Sequence, residues 1–228
     1  METIQINGKD YHVELILKDR GRTATARFRN GKIIIRIPKR APAYERKELY
    51  ESLLRRTVNS IAKGKWKEKK KLKLIDGEKI EILGKEYEVK VTEGKNKKMK
   101  FTEDTLMIRT PGGTAGMEKK IHKHFLHYVE SRLRELNELH FKEEINSVSL
   151  RNTKTRWGSC SSNGRISLSS RLLLAPPEIL DYVIIHELAH TKVKSHGKRF
   201  WSIVENIMPD HKERRQWLRK NDSNIPVI

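Results

Sequence analysis

The sequence predicts an α+β protein in which strand–strand–helix units precede a region built around one buried helix. Short alternating apolar segments such as residues 32–37 are bounded by turn residues, as β-strands are. Longer polar segments with helical periodicity follow them, at about residues 44–61 and 117–139. A third segment, residues 177–191, is apolar on most sides and starts with a proline, which predicts a largely buried helix.

The first two-thirds of the chain contains a short duplication. Residues 8–15 align with residues 84–91, and residues 34–38 align with residues 106–111. Each copy ends in a proline-containing turn and is followed by a helical segment. We therefore predict three regions, which are an N-terminal β/α unit (1–75), a second, similar β/α unit (76–145), and a region at 146–228 that carries the chemical motifs.

Towards the end of the chain, residues 148–151 and 165–169 alternate in the manner of strands. Two further helices are predicted at residues 198–207 and at about 212–219. Proline 209 ends the first of them, because the residue before a proline disfavours helical geometry. The 165–169 strand is interpreted as an exposed edge that pairs with an extended peptide.

The chain is strongly basic. It has 49 Lys and Arg against 29 Asp and Glu, a net charge of +20 in 228 residues. Such a charge attracts polyanions, so nucleic acid is a predicted partner, and a solvated lysine-rich surface is the alternative. Residues 63–73 show the same ambiguity, since this lysine-rich segment is either an exposed connector or a nucleic-acid contact in which Trp66 stacks on a base.

Cysteine usage and hydropathy restrict the location. Cys160 is the single cysteine, which excludes an internal disulfide and suits a reducing compartment. Residues 1–10 lack the apolar centre of a signal peptide, and no apolar run approaches the ~20 residues that a membrane span needs. We expect a soluble, cytoplasmic protein.

The buried helix contains the sequence His186-Glu187-Leu188-Ala189-His190. Residues four apart lie on one face of a helix, so both imidazoles can reach one metal ion. Glu187 then stands beside the first ligand, as the base does in the H-E-x-x-H zinc proteases. Burying an unpaired carboxylate in an apolar helix costs roughly several kcal/mol of stability. A metal site explains why Glu187 is tolerated there.

A catalytic zinc ion needs a third protein ligand. His196 follows His190 at the spacing of the metzincin motif, although Val193 occupies the glycine position of that motif and no Met-turn is evident. Glu205, on the next predicted helix, is the second candidate. His211 is a weaker third candidate, with a turn position or an oxyanion contact as its other interpretations.

Residues 156 to about 220 closely resemble the YgjP-like metallopeptidases, relatives of the SprT-like and WLM zinc proteases. The resemblance rests on the H-E-x-x-H motif and on short motifs around it, namely residues 156–160, 164–168, 173–177, 195–196, 199–201, 209–210 and 213–215. It implies a minimal gluzincin-like zincin domain, with the motif helix packed on a small antiparallel sheet. It also implies His186, His190 and His196 as zinc ligands and Glu187 as the base, which makes residues 146–228 the catalytic region.

The predicted function is a zinc-dependent metallopeptidase that hydrolyses peptide bonds through a zinc-activated water, with Glu187 as general base and with recruitment to nucleic acid by its basic surface. The alternative is a non-enzymatic, zinc-stabilised nucleic-acid-binding module. Trp157 is either a pocket residue near the metal or a core aromatic. Cys160 is either a small buried residue or a regulatory thiolate that blocks the zinc.

Overall fold

A computed structural model describes residues 2–29, 31–64, 71–153 and 155–228. The chain divides into two compact units, Met1–Glu68 and Lys69–Ile228. Trp66 lies outside the described residues, so its predicted nucleic-acid contact stays a prediction. Within the described ranges, every helix is too short or too polar to cross a lipid bilayer.

The first unit is a four-stranded sheet with one helix. Its strands and helix are β1 (Glu2–Ile6), β2 (Lys9–Lys18), β3 (Thr25–Arg29), β4 (Lys32–Pro38) and α1 (Ala43–Ala62). The strand order is β1-β2-β4-β3, with β2 parallel to β4 and the outer pairs antiparallel. Ile33, Ile35 and Ile37 alternate along β4 and are fully buried, so one face of the sheet forms the core of this unit.

The second unit begins with a sheet and helix of the same kind. Its elements are β5 (Lys79–Ile82), β6 (Lys85–Glu93), β7 (Lys98–Phe101), β8 (Thr105–Thr110) and α2 (Glu118–His140). The strand order β5-β6-β8-β7 and the strand directions repeat those of the first sheet. The shared topology is what a duplication requires, and the division of the chain into three regions stays a prediction.

A three-stranded sheet follows, made of β9 (Ser147–Arg151), β10 (Gly158–Cys160) and β11 (Arg165–Ser169). The expectation of an antiparallel sheet is wrong for β9, which runs parallel to β11. The cause is that β11 inserts between β9 and its own hairpin partner β10, in the order β10-β11-β9. The expectation that residues 165–169 form an exposed edge is wrong for the same reason, because β11 is the central strand and β10 is an edge.

The C-terminal helices agree with the predicted bounds to within about two residues. They are α3 (Pro177–Lys192), α4 (Lys198–Ile207) and α5 (His211–Asn221), and a 3₁₀ turn at Ser170–Leu174 leads into α3. The prediction that α3 is largely buried is confirmed, since most of its side chains lie in the core of the second unit. It packs against α2, α4, α5 and the β10–β11 hairpin.

The duplicated hairpin of the second unit supports the start of α3. Leu83 and Gly84, in the β5–β6 turn, both have positive φ angles, 52° and 77°. The Leu83 amide donates to the Leu173 carbonyl oxygen at 2.7 Å. A Cβ atom at Gly84 would lie 3.2 Å from the Pro177 ring, so this turn approaches α3 closely and positions its first residue.

A two-pronged ion pair joins α2 to α3. The Nε and Nη2 atoms of Arg132 each donate to an Asp181 carboxylate oxygen at 2.8 Å. Only 20% of the Asp181 side chain is exposed to solvent. Hydrogen bonds to the carboxylate raise the pKa of Arg132, which keeps the guanidinium charged. The pair therefore fixes the position of α3 along α2 one turn before the motif histidines.

Candidate metal centre

Three histidines converge at the C-terminal end of α3. His186 and His190 lie one turn apart on the same face of the helix, and His196 follows in the loop before α4. One ring nitrogen from each lies within 4.8 Å of the others. The Nε2 atoms of His186 and His196 are 3.1 Å apart. The structure thus brings together the three residues that the sequence selected.

The hydrogen bonding of His190 suits a metal ligand. Its Nδ1 atom lies 3.1 Å from the Val193 carbonyl oxygen. A carbonyl oxygen only accepts, so Nδ1 carries the proton and Nε2 keeps its lone pair for the cluster. Val193 has extended backbone geometry at the end of α3, so the turn that ends the helix also orients this imidazole.

Burial favours the neutral form of two of the three imidazoles, those of His186 and His190. It is the main cause that lowers the pKa of His186 to about 3, and the neighbouring His190 and His196 lower it further. Burial also lowers the pKa of His190, against the effect of the Val193 carbonyl. Neutral imidazole is the form that binds metal, so two of the ring donors need no deprotonation at neutral pH.

An aromatic floor lies beneath the cluster. Phe200, on α4, is fully buried, and its ring centroid lies 4.9 Å from that of His186, 4.6 Å from that of His190 and 4.8 Å from that of His196. In the sequence, Phe200 is part of a family motif, and no role was predicted for it. Its packing restricts rotation of all three rings, and it closes the cluster on the side away from solvent.

The cluster fits a zinc ion. Tetrahedral zinc at a Zn–N distance of about 2.0–2.1 Å separates two ligand nitrogens by ~3.3 Å, close to the 3.1 Å between His186 and His196. Three imidazoles also match the donor set of catalytic zinc sites, which keep a further position open. Imidazole suits copper, iron and nickel as well, so the donor set alone favours zinc without fixing it.

Glu187 lies beside the cluster in an unusual environment for a carboxylate. Its residue is only 5% exposed. Burial raises its pKa to about 7, and the positive charge of Arg156 acts in the opposite direction. A carboxylate that is half protonated near neutral pH can both accept and return a proton, as a general base in hydrolysis must.

A cleft of about 500 Å³ opens over Glu187 and His186. One wall comes from Trp157, just before β10, and from Gly158 at the start of this strand. The other wall comes from α3 and α5, through Tyr182, Arg215 and other residues. The cleft therefore gives a substrate access to the carboxylate and to one of the three histidines.

Sequence comparison assigns a family to the chain. The family profile described as the YgjP-like metallopeptidase domain matches residues 22–221 of the 228 residues. The chain belongs to the YgjP-like metallopeptidase family. The match includes the three histidines and Glu187, and it also covers β3, β4 and the whole second four-stranded sheet, far beyond the C-terminal motifs.

Two solved metallopeptidase zymogens are similar to parts of this YgjP-like protein. Abylysin of Pyrococcus abyssi is 27% identical over 44% of this chain and 99% of its own, with a TM-score of 0.37. Jannalysin of Methanocaldococcus jannaschii is 24% identical over 41% of this chain and 95% of its own, also with a TM-score of 0.37. No curated protein sequence matches the chain.

The other two candidate ligands lie elsewhere in the YgjP-like protein. Glu205 is exposed on α4 and its carboxylate forms an ion pair with Lys212 at 3.1 Å. His211 is buried at the start of α5, where its ring stacks on Trp201 with a centroid distance of 5.6 Å. Within the described part of the chain, the cluster that can hold a metal contains neither residue.

Trp157 and Cys160 line two different clefts. Trp157 is half-buried, lines the cleft, and has the Arg171 guanidinium 4.1 Å from its ring centroid, so both interpretations of this residue hold. Cys160 lines a separate groove with Ser161 and Arg165. Burial raises the pKa of its thiol, so a thiolate is disfavoured.

Sequence reasoning missed several residues of this site. Gly158 stood inside a family motif, and its close approach to Glu187 became visible only in three dimensions. Arg215 and Arg219, four residues apart on α5, line the same cleft as His186. Their spacing on one helix face was the available signal, since like charges at this spacing disfavour a helix and so need another explanation.

Proposed function

We propose that this chain is a zinc-dependent peptidase that hydrolyses peptide bonds in peptides or proteins. His186, His190 and His196 hold the zinc, and Glu187 is the general base. The observation that carries the proposal is the convergence of three ring nitrogens within 4.8 Å of one another, with one of these histidines, His186, lining a cleft that also contains Glu187. Membership of a metallopeptidase family supports it.

The proposed mechanism assigns the proton transfers to Glu187. When bound, zinc lowers the pKa of a water molecule towards ~7 and polarises the scissile carbonyl group. Glu187 takes a proton from the attacking water and delivers it to the leaving amine. In the metal-free protein, burial makes this carboxylate more basic than an exposed glutamate.

The outer edge of β10 is the proposed site for the substrate backbone. β10 is an edge strand, and Gly158 at its start lies directly against Glu187. An extended peptide that pairs with this edge would bring a peptide bond to the carboxylate, with alternate side chains directed into the cleft. The β10 edge thus takes the peptide-pairing role that the sequence predicted for residues 165–169.

A zinc-stabilised, non-enzymatic nucleic-acid-binding module is the competing function. Structural zinc sites are closed by four protein ligands. In the described part of the chain, the candidate cluster supplies three, and a buried carboxylate stands beside it. Glu187 has no purpose in a structural site, where burying it only costs stability, so the arrangement favours hydrolysis.

The two functions are separated by the variant Glu187→Gln. We expect it to bind zinc as the wild type does and to lose hydrolysis of a mixed peptide library by about 100-fold or more, in line with the loss of a general base. Zinc content and cleavage are measured on the same preparations. Equal cleavage by wild type and variant, or none by the zinc-loaded wild type, contradicts the peptidase.

Nucleic-acid recruitment is a second part of the proposal. A groove of about 430 Å³ is lined by Met99, Phe101, Lys120, Lys123 and His124, so lysines flank an aromatic pair. The rings of Phe101 and His124 stack with their centroids 4.3 Å apart. Lysines interleaved with aromatic rings are typical of surfaces that bind single-stranded nucleic acid.

Salt-dependent binding of single-stranded DNA tests this surface. We expect Lys120→Glu with Lys123→Glu to weaken binding and to reduce the salt slope by about 2, because each phosphate contact contributes about 1. Lys212→Glu with Lys220→Glu on α5 makes the same charge change elsewhere and serves as control. Absence of DNA retention at low salt contradicts recruitment.

A cytoplasmic location is proposed from the single cysteine.

A further inference from the structure

Three arginines line the cleft that contains Glu187 and His186. Arg156 precedes β10, and Arg215 and Arg219 lie one turn apart on α5. All three residues are exposed. The positive groups therefore reach the cleft from both of its walls, and a molecule next to Glu187 passes between them.

These arginines lack a close carboxylate partner among the described residues. In the part of the chain that the structure describes, none of the three forms an ion pair, whereas Arg214 on the same helix pairs with Asp210 at 2.7 Å. Besides Glu187, the described lining contains one carboxylate, that of Asp222, and it already pairs with the fully buried Arg171 at 3.0 Å.

Arg215 is also held in place. Its guanidinium carbon lies 4.7 Å from the centroid of the Trp201 ring. The ring centroid of Trp201 in turn lies 5.9 Å from that of His186, and the Trp201 ring stacks on the buried His211. A guanidinium stacked on an aromatic ring keeps its donor edge available while it loses little freedom on binding. This arginine is thus oriented beside the metal cluster before any ligand arrives.

We infer that the cleft selects peptides that carry a carboxylate next to the scissile bond, as an acidic side chain or as a free C-terminus. The inference rests on the proposed peptidase function and names its substrate class. Guanidinium groups match a carboxylate in shape and can bind both of its oxygens at once. The energetic cost of two like charges at i, i+4 on α5 is offset when such a ligand binds between them and Arg156.

Peptide binding tests this selectivity separately from hydrolysis. The probes are fluorescent peptides of one sequence in four forms, which combine a neutral or acidic residue at the centre with an amidated or free C-terminus. Affinities are measured on the full-length, zinc-loaded Glu187→Gln protein, which holds the peptides without turning them over. We expect the anionic forms to bind about ten-fold tighter than the neutral amidated form at low salt, with the difference reduced at high salt.

Comparison among the four forms identifies the source of the carboxylate. A gain from the acidic residue alone assigns the arginines to an acidic side chain, and a gain from the free C-terminus alone assigns them to terminal recognition. Equal affinity for all four forms overturns the inference. Hydrolysis by the wild type is scored separately, so preferential binding without cleavage contradicts the peptidase proposal and leaves the anion selectivity standing.

Arginine variants locate the selectivity in the cleft. In the Glu187→Gln background, we expect Arg156→Gln or Arg219→Gln to reduce the anionic-to-neutral affinity ratio by about three-fold each, and the triple variant with Arg215→Gln to abolish the preference. Arg156→Lys keeps the charge and should recover part of the ratio. Lys220→Gln removes a neighbouring exposed charge outside the cleft and is the matched control. An equal fall in the ratio for Lys220→Gln, or no fall in the triple variant, overturns the inference.

Discussion

The carboxylate of Glu187 lies directly against the backbone of Gly158. A Cβ atom added at Gly158 would come within 2.4 Å of Glu187 Oε1, 2.7 Å of its Cγ and 2.8 Å of its Cδ. The edge strand therefore approaches α3 more closely than any other residue type would allow. Since Gly158 starts β10, this contact joins the strand proposed for the substrate to the proposed base.

Gly158→Ala is expected to displace Glu187 and to lower hydrolysis by at least about ten-fold, because small misplacements of a catalytic group are costly. Overpacking should also reduce the free energy of unfolding by about 1–3 kcal/mol. Peptide cleavage and denaturant titration measure the two effects. Gly112→Ala is the control, since its Cβ would meet nothing within 4 Å. Wild-type cleavage rates for Gly158→Ala would show that this contact has no role in the chemistry.

The choice of third ligand is tested by His196→Ala against Glu205→Ala. We expect the first variant to weaken zinc binding by more than about 100-fold, since loss of an outer-shell partner alone costs 10–100-fold. Glu205→Ala should leave zinc binding unchanged, because its carboxylate pairs with Lys212 at the surface. Competition with a chromophoric chelator measures both affinities. Retention of zinc by His196→Ala together with loss in Glu205→Ala would reverse the assignment.

The raised pKa of Glu187 predicts a pH-dependent cost in the metal-free protein. The folded state favours the protonated acid, so stability is lost as pH rises from the unfolded value of 4.5 through about 7. The loss is on the order of 3 kcal/mol. Glu187→Gln lacks this titration, so it is the reference for the metal-free wild type.

Denaturant titrations in the presence of a chelator measure that cost. The variant should gain stability relative to wild type as pH rises over this window, and the difference should level off above it. A difference that is constant with pH would mean that the Glu187 carboxylate is well solvated in the folded state.

The Arg132–Asp181 pair is expected to stabilise the second unit. Asp181→Asn leaves the half-buried guanidinium with only the exposed Glu135 as a charged partner, so the free energy of unfolding should fall by about 1–2 kcal/mol. Glu130→Gln breaks the more exposed pair with Arg134, four residues along the same helix, and should cost about 0.5 kcal/mol or less. Equal effects of both substitutions on denaturant midpoints would show that the link between α2 and α3 adds nothing.

Helix positions and the histidine cluster could be predicted because both depend on local spacing. Predicted residues 177–191 and 198–207 correspond to helices at Pro177–Lys192 and Lys198–Ile207. The H-E-x-x-H spacing alone places His186 and His190 on one helix face. Such features follow from periodicity within one element, which a sequence shows directly.

Strand pairing and the composition of the cleft could not be predicted in this way. Alternation identifies β9 and β11 as strands, but the alternation pattern is the same whichever way a strand runs. Their parallel pairing follows from the insertion of β11 between β9 and β10. Arg156 and Arg219 are 63 residues apart in the sequence and line the same cleft only because α5 packs against α3. Contacts between distant segments are set by tertiary packing, on which local patterns carry little information.

X-ray absorption at the zinc edge of the zinc-loaded, full-length chain tests the central claim most directly. Three imidazoles bound as proposed predict nitrogen or oxygen neighbours at about 2.0–2.1 Å, with outer-shell scattering from three rings. His190→Ala should reduce that outer-shell signal. A thiolate sulfur neighbour at about 2.3 Å, for which Cys160 is the one cysteine in the sequence, or a spectrum with fewer than three imidazoles, would contradict the claim.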